Sequence, residues 1–184
     1  MFRLIVSSIV VLVFALTLVA QQAPKDSDVS VSPMAVRTLK GCTFLYRSVE
    51  TDMQNSSQRI EAEMKSLAEE IKSARIMPVG SPIFVFHNPT PEAGKTFTIE
   101  MGFPVAAETK APANSKVRSL EPLRAATVMF SGPMPAMRGA YEKLYQQIGQ
   151  AGLTPGTELR QYTLYWEGVD SPNNVMLLQV GLEK

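Results

Sequence analysis

The sequence is poor in the residues from which most metal and catalytic centres are built. Among its 184 residues it has one cysteine, Cys42, and one histidine, His87. One cysteine excludes an intrachain disulfide, and one histidine excludes the zinc and iron sites that need several imidazole ligands. The chain also lacks a G-x-S-x-G nucleophile motif. We therefore expect no metal and no cofactor, and we expect Cys42, which lies in an apolar run, to be a small buried side chain.

The sequence also lacks an excess of charge of either sign. Its 18 lysine and arginine residues stand against 17 aspartate and glutamate residues, which gives a formal net charge of +1. Proteins that bind nucleic acid take much of their affinity from an excess of positive charge, because that charge neutralises phosphates. We therefore expect no nucleic-acid partner.

The first 20 residues form a long hydrophobic run. They contain one charged residue, Arg3, and are followed by a polar segment. This pattern predicts a signal peptide over residues 1–20, or a membrane anchor if the segment is not cleaved. The folded part is then secreted or periplasmic, and it meets a membrane only through this segment. Residues 21–36 contain Pro24 and Pro33 without sustained periodicity, which predicts a linker.

Two segments with the spacing of amphipathic helices end in a similar phrase. The first, residues 57–74, runs into ARIMP, and the second runs into AGLTP 77 positions later. Their apolar residues recur at steps of four, three and four, and a shift of 77 superimposes Ile60, Met64, Leu67 and Ile71 on Met137, Tyr141, Leu144 and Ile148. The prolines that follow the helices coincide as well. These coincidences predict an internal duplication.

Strand-like runs surround each predicted helix in the same order. RTLKGCTFLYRSVE and LRAATVMF precede the helices; IFVFH and TFTIEMGFPV follow the first, and LRQYTLYWE and NVMLLQVGLEK follow the second. We predict an α+β fold in which two β-α-β-β units, residues 37–105 and 117–184, form one antiparallel sheet with both helices on one face. The polar residues 106–119 predict a connecting loop. A pseudo-twofold axis between the units predicts a cleft at their seam, which is a common place for small ligands.

Four runs of the second unit resemble the GyrI-like small-molecule-binding family, the effector-binding domain attached to AraC- and MerR-type bacterial regulators. These runs are ATVMFSGP, MRGAYEKLYQQIGQAGLTPG, LRQYTLYWE and NVMLLQVGL. They follow the order of the family: a strand, a helix ending in Gly-Leu-x-Pro, a strand with a tyrosine, and a hydrophobic terminal strand. The resemblance covers residues 37–184. It implies a ligand cleft between two repeats that binds hydrophobic or aromatic, often cationic, molecules.

One position departs from the pattern of the family. In many members a glutamate two residues before the tyrosine of the third run is a counter-charge or, in hydrolytic relatives, an acid/base catalyst. Here Arg160 stands two residues before Tyr162. The departure argues against cation binding and hydrolysis at that position. Glu167, on the same run, is the carboxylate that we expect to replace it if the strand turns its side chain toward the cleft.

Aromatic residues are concentrated on the predicted strands and on the second helix. Their rings suit flat or apolar ligands, and Tyr and Trp also offer a polar group. We therefore predict ligand-binding roles for nine residues: Tyr46, Phe84, Phe86, Phe130, Tyr141, Tyr145, Tyr162, Trp166 and Glu167. The leading interpretation is an exported protein without enzymatic activity that holds a hydrophobic or aromatic small molecule, including cationic ones.

Two alternatives remain open at this point. The first is a small-molecule hydrolase that uses Glu167 and a tyrosine of the cleft as acid and base. The second is haem carriage through His87, because the haem-binding SOUL family has a similar duplicated fold. Otherwise His87, which ends a predicted strand, has a structural hydrogen-bonding role.

Overall fold

The structure, a computed structural model, describes residues 28–89, 92 and 94–183. The predicted signal peptide or anchor, residues 1–20, lies outside the described residues, as do residues 21–27 of the predicted linker. Within the described part of the chain, no helix is both long enough and apolar enough to cross a membrane.

Two helices form where the apolar spacing predicts them. Helix α1 spans Ser56–Ser73 and helix α2 spans Met137–Gln150, and a single 3₁₀ turn, Met134–Ala136, leads into α2. The predicted apolar residues in the second half of each helix are buried: Leu67 and Ile71 on α1, Leu144 and Ile148 on α2.

The repeated phrase that follows the helices is a helix-terminating motif. Arg75 after α1 and Gly152 after α2 both have a left-handed backbone, with φ of 55° and 66°. The next amide in each case donates to the carbonyl five residues earlier, Ile76 to Ile71 and Leu153 to Ile148. This is the Schellman motif, which satisfies the last carbonyls of a helix before a proline turns the chain away. The two phrases are alike because they perform the same stop.

Nine antiparallel strands build one sheet in the described part of the chain. They are β1 (Ser30–Val31), β2 (Ala35–Leu39), β3 (Cys42–Thr51), β4 (Ile83–His87), β5 (Phe97–Val105), β6 (Lys116–Leu120), β7 (Leu123–Ser131), β8 (Pro155–Tyr165) and β9 (Val175–Leu182). The order across the sheet is β1-β7-β9-β8-β4-β5-β3-β6, and β2 also pairs with β7. The prediction of an α+β fold with an antiparallel sheet is confirmed.

Strand register bears out the duplication. Phe84 of β4 pairs with Gln161 of β8, which is its own equivalent 77 positions later. Phe86 pairs with Ile99, and the residues 77 positions after these two pair with each other in β8 and β9. The pseudo-twofold axis therefore passes between β4 and β8 at the Phe84–Gln161 pair.

The first strand of each repeat pairs with the other repeat. Only residues 40–41 separate β2 from β3, and only residues 121–122 separate β6 from β7. In every residue pair between β2 and β7 and between β3 and β6, the two residue numbers add up to 162. The antiparallel register therefore continues unchanged from the first pairing into the second. Each of the two segments is thus one long strand with a two-residue interruption, and the two lie side by side while each passes from one repeat's half of the sheet to the other's. We call this the strand crossing. This arrangement adds strands that the sequence patterns did not predict: β1 and the start of β2 lie in the predicted linker, and β6 lies largely in the predicted loop.

Both helices pack on the same face of the sheet, as predicted. One core cluster joins α2 to β7, β8 and β9, and two others join α1 to β3 and β5. Phe86 contacts the clusters of both helices, so the helices share a face. We call this the helix face. The opposite side, which carries the alternate residues of β3, β4 and β8, is the inner face.

Candidate functional site

The inner face is buried although neither helix of the described residues covers it. Its apolar cluster consists of Phe44, Tyr46, Ile83, Val85 and Leu120, and Cys42 and Tyr162 pack against the cluster. All five cluster members are at most 8% exposed. Because the helices lie on the other side, the sheet itself must curl over these residues. The seam between the repeats, where β4 pairs with β8, lies in the middle of this face.

Two stacked aromatic rings form one wall of the inner face. The rings of Phe44 and Tyr46 are nearly parallel, with an interplanar angle of 2° and centroids 5.3 Å apart. The guanidinium of Arg118 lies over both rings, 5.9 Å and 5.5 Å from their centroids. Such a contact is a cation–π interaction. The wall therefore presents aromatic surface with a cation at its edge.

Arg160 occupies the centre of the inner face. It is only 2% exposed. Its Nε donates to Glu158 Oε1 at 2.6 Å, and its Nη2 donates to the carbonyl oxygen of Glu121 at 2.8 Å. Glu121 lies in the interruption between β6 and β7, so the arginine reaches from the seam to the strand crossing. Its Nη1 is buried and has no hydrogen-bond partner of acceptable geometry among the described residues.

Cys42 and Tyr162 share the electrostatic field of Arg160. Burial raises the pKa of the Cys42 thiol, and the positive charges of Arg160 and Arg118 act in the opposite direction. Burial also raises the pKa of the Tyr162 hydroxyl, while the charge of Arg160 and a hydrogen-bonding contact with its guanidinium act in the opposite direction. Both groups are therefore neutral at physiological pH, when they can offer a hydrogen bond but no charge. Cys42 is half-buried rather than fully buried, which is more exposed than its apolar neighbours in the sequence predict.

A carboxylate at the edge of the inner face is already engaged. Glu100 Oε2 accepts a hydrogen bond from Arg118 Nε at 3.1 Å, and His87 Nε2 lies 3.3 Å from the same oxygen. This contact agrees with a structural role for His87, whereas the haem-carrier alternative stays untested. In the part of the chain that the structure describes, no group of three His, Cys, Asp or Glu residues could hold a metal ion.

The nine residues predicted to bind ligand lie in three different places. Tyr46 and Tyr162 belong to the inner face. Five others pack on the helix face or lie on α2: Phe84, Phe86, Phe130, Tyr141 and Tyr145. Trp166 and Glu167 lie in the exposed loop after β8. The structure thus brings only two of the nine to the inner side of the seam.

Tyr141 has the most unusual environment among the residues on the helix face. Its hydroxyl is buried and has no hydrogen-bond partner among the described residues. Burial strongly raises the pKa of this hydroxyl, with a smaller contribution from Tyr145. The ring itself packs against the core beneath α2, so its position is explained by packing.

Glu167 holds its own loop together. One carboxylate oxygen accepts from the Tyr165 hydroxyl at 2.8 Å, and the other accepts from Ser171 at 2.7 Å and from Asn173 at 2.8 Å. The hydrogen bond from Ser171 is the largest of the effects that lower the pKa of Glu167. The carboxylate is therefore ionised and exposed, outside the inner face. The hydrolase alternative needs Glu167 inside the cleft, and no contact in the structure favours that role.

The buried arginine at the centre is the feature that sequence patterns missed. Residues 158, 160 and 162 alternate on β8 and so share one face, which the spacing alone could have shown. Arginine is seldom fully buried, however, and composition gives no reason to place one at a core position. Its burial depends on the crossing of the long strands, which brings the Glu121 carbonyl within reach.

Comparison with known proteins identifies the domain. The family model of the GyrI-like small-molecule-binding domain matches residues 32–175. The crystal structure of the EcmrR C-terminal domain matches with a TM-score of 0.66 at 19% identity, over 83% of this chain and 98% of that one. The EcmrR chain in a cryo-EM complex with DNA matches with a TM-score of 0.69 at 18% identity, over 83% of this chain. The alignment covers 57% of that EcmrR chain.

Two further solved structures carry different functional descriptions. SAV2435 bound to tetraphenylphosphonium matches with a TM-score of 0.59 at 12% identity, over 83% of this chain and 94% of that one. A hydrolase from Listeria innocua matches with a TM-score of 0.53 at 14% identity, over 82% and 91%. At such identities these similarities establish the fold alone. No curated protein matches the chain. Because the family model covers well over half of its residues, the chain belongs to the GyrI-like small-molecule-binding domain family.

Proposed function

We propose that this chain binds a small apolar or aromatic molecule at the inner face of its sheet, between the two repeats. The observation that carries the proposal is the aromatic cluster at the seam, in which Phe44, Tyr46 and Tyr162 line one face of a small-molecule-binding domain. Stacked rings offer a flat apolar surface that a ligand ring can extend or replace. The related fold of SAV2435, solved with tetraphenylphosphonium, supports a bulky aromatic occupant.

Binding at this face requires side chains to move. The cluster is closed over itself, with Phe44 and Val85 fully buried. Its edge is looser: Cys42, Arg118 and Tyr162 are only partly buried. A ligand would enter beside these three and displace Arg118 from the aromatic rings. An exposed cation–π contact contributes about 0.5–1 kcal/mol, so this displacement is not prohibitive.

The location of the domain is part of the proposal. Residues 1–20 have the composition of an export signal, so we infer that the domain functions in the periplasm or outside the cell. Cell fractionation followed by N-terminal sequencing tests this. A mature N-terminus near residue 21 in the extracytoplasmic fraction is expected, an uncleaved protein in the membrane fraction indicates an anchor, and a cytoplasmic protein contradicts the inference.

Calorimetric titration of the purified chain with 2-naphthaleneacetamide, a neutral aromatic probe, tests the binding function. Tyr46→Ala should weaken binding about tenfold, since an aromatic contact and its buried area are lost together. Trp166→Ala is the matched control, because Trp166 is a partly exposed aromatic residue outside the inner face. If Trp166→Ala abolishes binding and Tyr46→Ala does not, the site lies at the loop after β8 and not at the inner face.

A further inference from the structure

We infer that the ligand of the inner face carries a carboxylate, and that this group binds the free edge of the Arg160 guanidinium. The inference rests on the proposed function and specifies the class of ligand: an amphipathic acid with an aromatic or aliphatic body. Its basis is the buried, incompletely bonded arginine at the seam.

Arg160 has more hydrogen-bonding capacity than its surroundings use. A guanidinium carries its N–H donors on three nitrogens in a planar fork. In Arg160, Nε is bonded to Glu158 and Nη2 to the Glu121 carbonyl, whereas Nη1 is buried without a partner among the described residues. Leaving a buried donor of a charged group unbonded is unfavourable, because the group has lost its hydrogen bonds to water without gaining others. An acceptor supplied by a ligand would recover this free energy.

The charges around Arg160 favour an anion over a cation. Three carboxylates occupy inner-face positions. Glu158 and Glu100 are each already bonded to an arginine, the first to Arg160 and the second to Arg118, whereas Glu50 is exposed and accepts a hydrogen bond from Thr96. An ammonium ligand beside Arg160 would therefore have to displace an arginine to reach Glu158 or Glu100. An anionic ligand meets an unbonded N–H of a permanent cation, and the planar guanidinium forms strong charge-assisted hydrogen bonds with carboxylates.

The two pseudo-symmetric sides of the site differ in polarity. The equivalent of Arg160 in the first repeat, 77 positions earlier, is Ile83, which is 1% exposed and belongs to the apolar cluster. Phe44 and Tyr46 stand on the same apolar side. A ligand that satisfies both sides has an acidic end toward β8 and an apolar body toward β3. Neither a purely hydrophobic molecule nor a small anion such as phosphate fits this combination.

Three probes of similar shape separate the possibilities. 2-Naphthaleneacetate, 2-naphthaleneacetamide and 2-(2-naphthyl)ethylammonium share one aromatic body and differ in charge. Titration calorimetry on the purified chain should give a dissociation constant for the carboxylate at least about tenfold lower than for the amide, with the ammonium weakest. Equal affinity for all three, or tightest binding of the ammonium, would overturn the inference and leave the proposed function standing.

Variants test whether Arg160 itself recognises the carboxylate. The double variant Arg160→Met with Glu158→Gln removes both charges of the pair, so that no uncompensated carboxylate remains. It should bind the acetate and the amide equally, and it should retain the amide affinity of the parent chain. Arg138→Met, on an arginine whose side chain is 84% exposed, is the matched control and should change neither constant. A double variant that still prefers the acetate would overturn the inference.

Two further outcomes are informative. If the double variant does not fold, which far-UV circular dichroism would show, Arg160→Lys serves instead. Lysine keeps the charge without the planar fork, so it should weaken the acetate more than the amide, and an unchanged acetate preference would contradict the inference. If none of the three probes binds the parent chain at millimolar concentration, the proposed function fails and the inference fails with it.

Discussion

Ile83 and Arg160 occupy equivalent positions in the two repeats, 77 residues apart. Both side chains are buried, but apolar contacts surround the first and polar partners the second. Both are nearly completely buried on the inner face, at 1% and 2% exposure. Ile83 fills its position with apolar contacts alone, whereas Arg160 needs a carboxylate and a carbonyl and still has an unbonded donor. The pair shows one place where the repeats diverged, on the inner face of the sheet.

Beneath the helices, one pair of equivalent positions has kept the same residue. Leu67 and Leu144, again 77 positions apart, are both fully buried beneath their helices. A residue under a helix must match the volume that the helix leaves, so large changes there are costly. Within the described residues the curl of the sheet encloses the inner face, and the side chains there can change as long as each polar group finds a partner.

The largest loss of stability is expected for the two equivalent leucines beneath the helices. Leu67→Ala and Leu144→Ala should each lower the free energy of unfolding by about 2–5 kcal/mol, because each leaves a cavity beneath a helix. Urea denaturation followed by circular dichroism measures both, and a single shared transition is expected because the sheet is continuous. If Leu67→Ala destabilises the chain much less than Leu144→Ala, the packing beneath the two helices is not equivalent.

A smaller effect tests the asymmetric pair. Glu158→Gln leaves the charge of buried Arg160 without its carboxylate and should cost about 1–3 kcal/mol, a range reduced because Glu158 is 29% exposed and solvent compensates in part. Arg160→Met replaces the cation with an apolar chain of similar length and should cost less. The comparison uses the same urea titrations. If Arg160→Met is the more damaging of the two, the arginine stabilises the fold rather than awaiting a ligand.

Glu70, like Arg160, is a charged residue whose equivalent in the other repeat is uncharged. Its hydrogen bonds predict that the stability of the chain depends on pH. Glu70 on α1 accepts hydrogen bonds from Ser115, the Asn114 amide and Arg47, and the Ser115 bond is the largest of the effects that lower its pKa below the ordinary 4.5. Its equivalent on α2 is Gln147, whose Oε1 is buried without a partner among the described residues. The network thus ties α1 to the segment before β6, and α2 has no equivalent of its carboxylate.

The sign of that pH dependence follows from the lowered pKa. The contribution of Glu70 is complete above pH 4.5 and is lost as the pH falls through the lower pKa of the folded state. Glu70→Gln should therefore destabilise the chain by roughly 1 kcal/mol at neutral pH, and the difference from the parent chain should shrink in acid. Urea titrations at several pH values measure it, with the exposed Glu69→Gln as control. A difference that is constant with pH would contradict the assignment.

The smallest effect concerns the two helix stops. Arg75 adopts the left-handed conformation that Gly152 adopts in the second repeat. A residue with a Cβ is strained there, so Arg75→Gly should stabilise the chain by about 0.5–1 kcal/mol, and Gly152→Ala should destabilise it by a similar amount. Thermal melts resolve shifts of this size. Arg75→Lys, which keeps the strain, should leave the melting temperature unchanged, and a stabilised lysine variant would show that strain is not the cause.

Much of the fold could be predicted from spacing, because helix faces and alternating strands leave a periodic record. The Schellman motif at the end of each helix also leaves a sequence signal, because Ala74 and Ala151 are each followed by a left-handed residue and, three positions later, by a proline. The strands β1 and β6 could not be predicted in this way. Their partners lie in the other half of the chain, and short polar runs such as KVRSL carry no periodic signal of their own.

The site could be predicted only in part. Tyr46 and Tyr162 reach the inner face, but the aromatic residues of neighbouring positions, such as Phe84, point to the helices because alternate residues of a strand face opposite sides. Nothing in composition distinguishes the two groups. The central arginine was visible only as a departure from the pattern of a family, and its burial follows from the strand crossing rather than from any local motif.

The crossing has a consequence for how such a chain could arise. Strand β2 finds its partner in β7 and strand β6 finds its partner in β3, so neither half of the sequence contains all the strands that its own half of the sheet requires. A single repeat would complete its hydrogen bonds only by trading a strand with a second molecule, and its folding would then depend on protein concentration. Fusing two repeats into one chain removes that dependence on concentration. Each repeat can then mutate independently of the other. An ancestor of this kind would have been a domain-swapped homodimer, and the one-sided arginine is a change that only the fused chain permits.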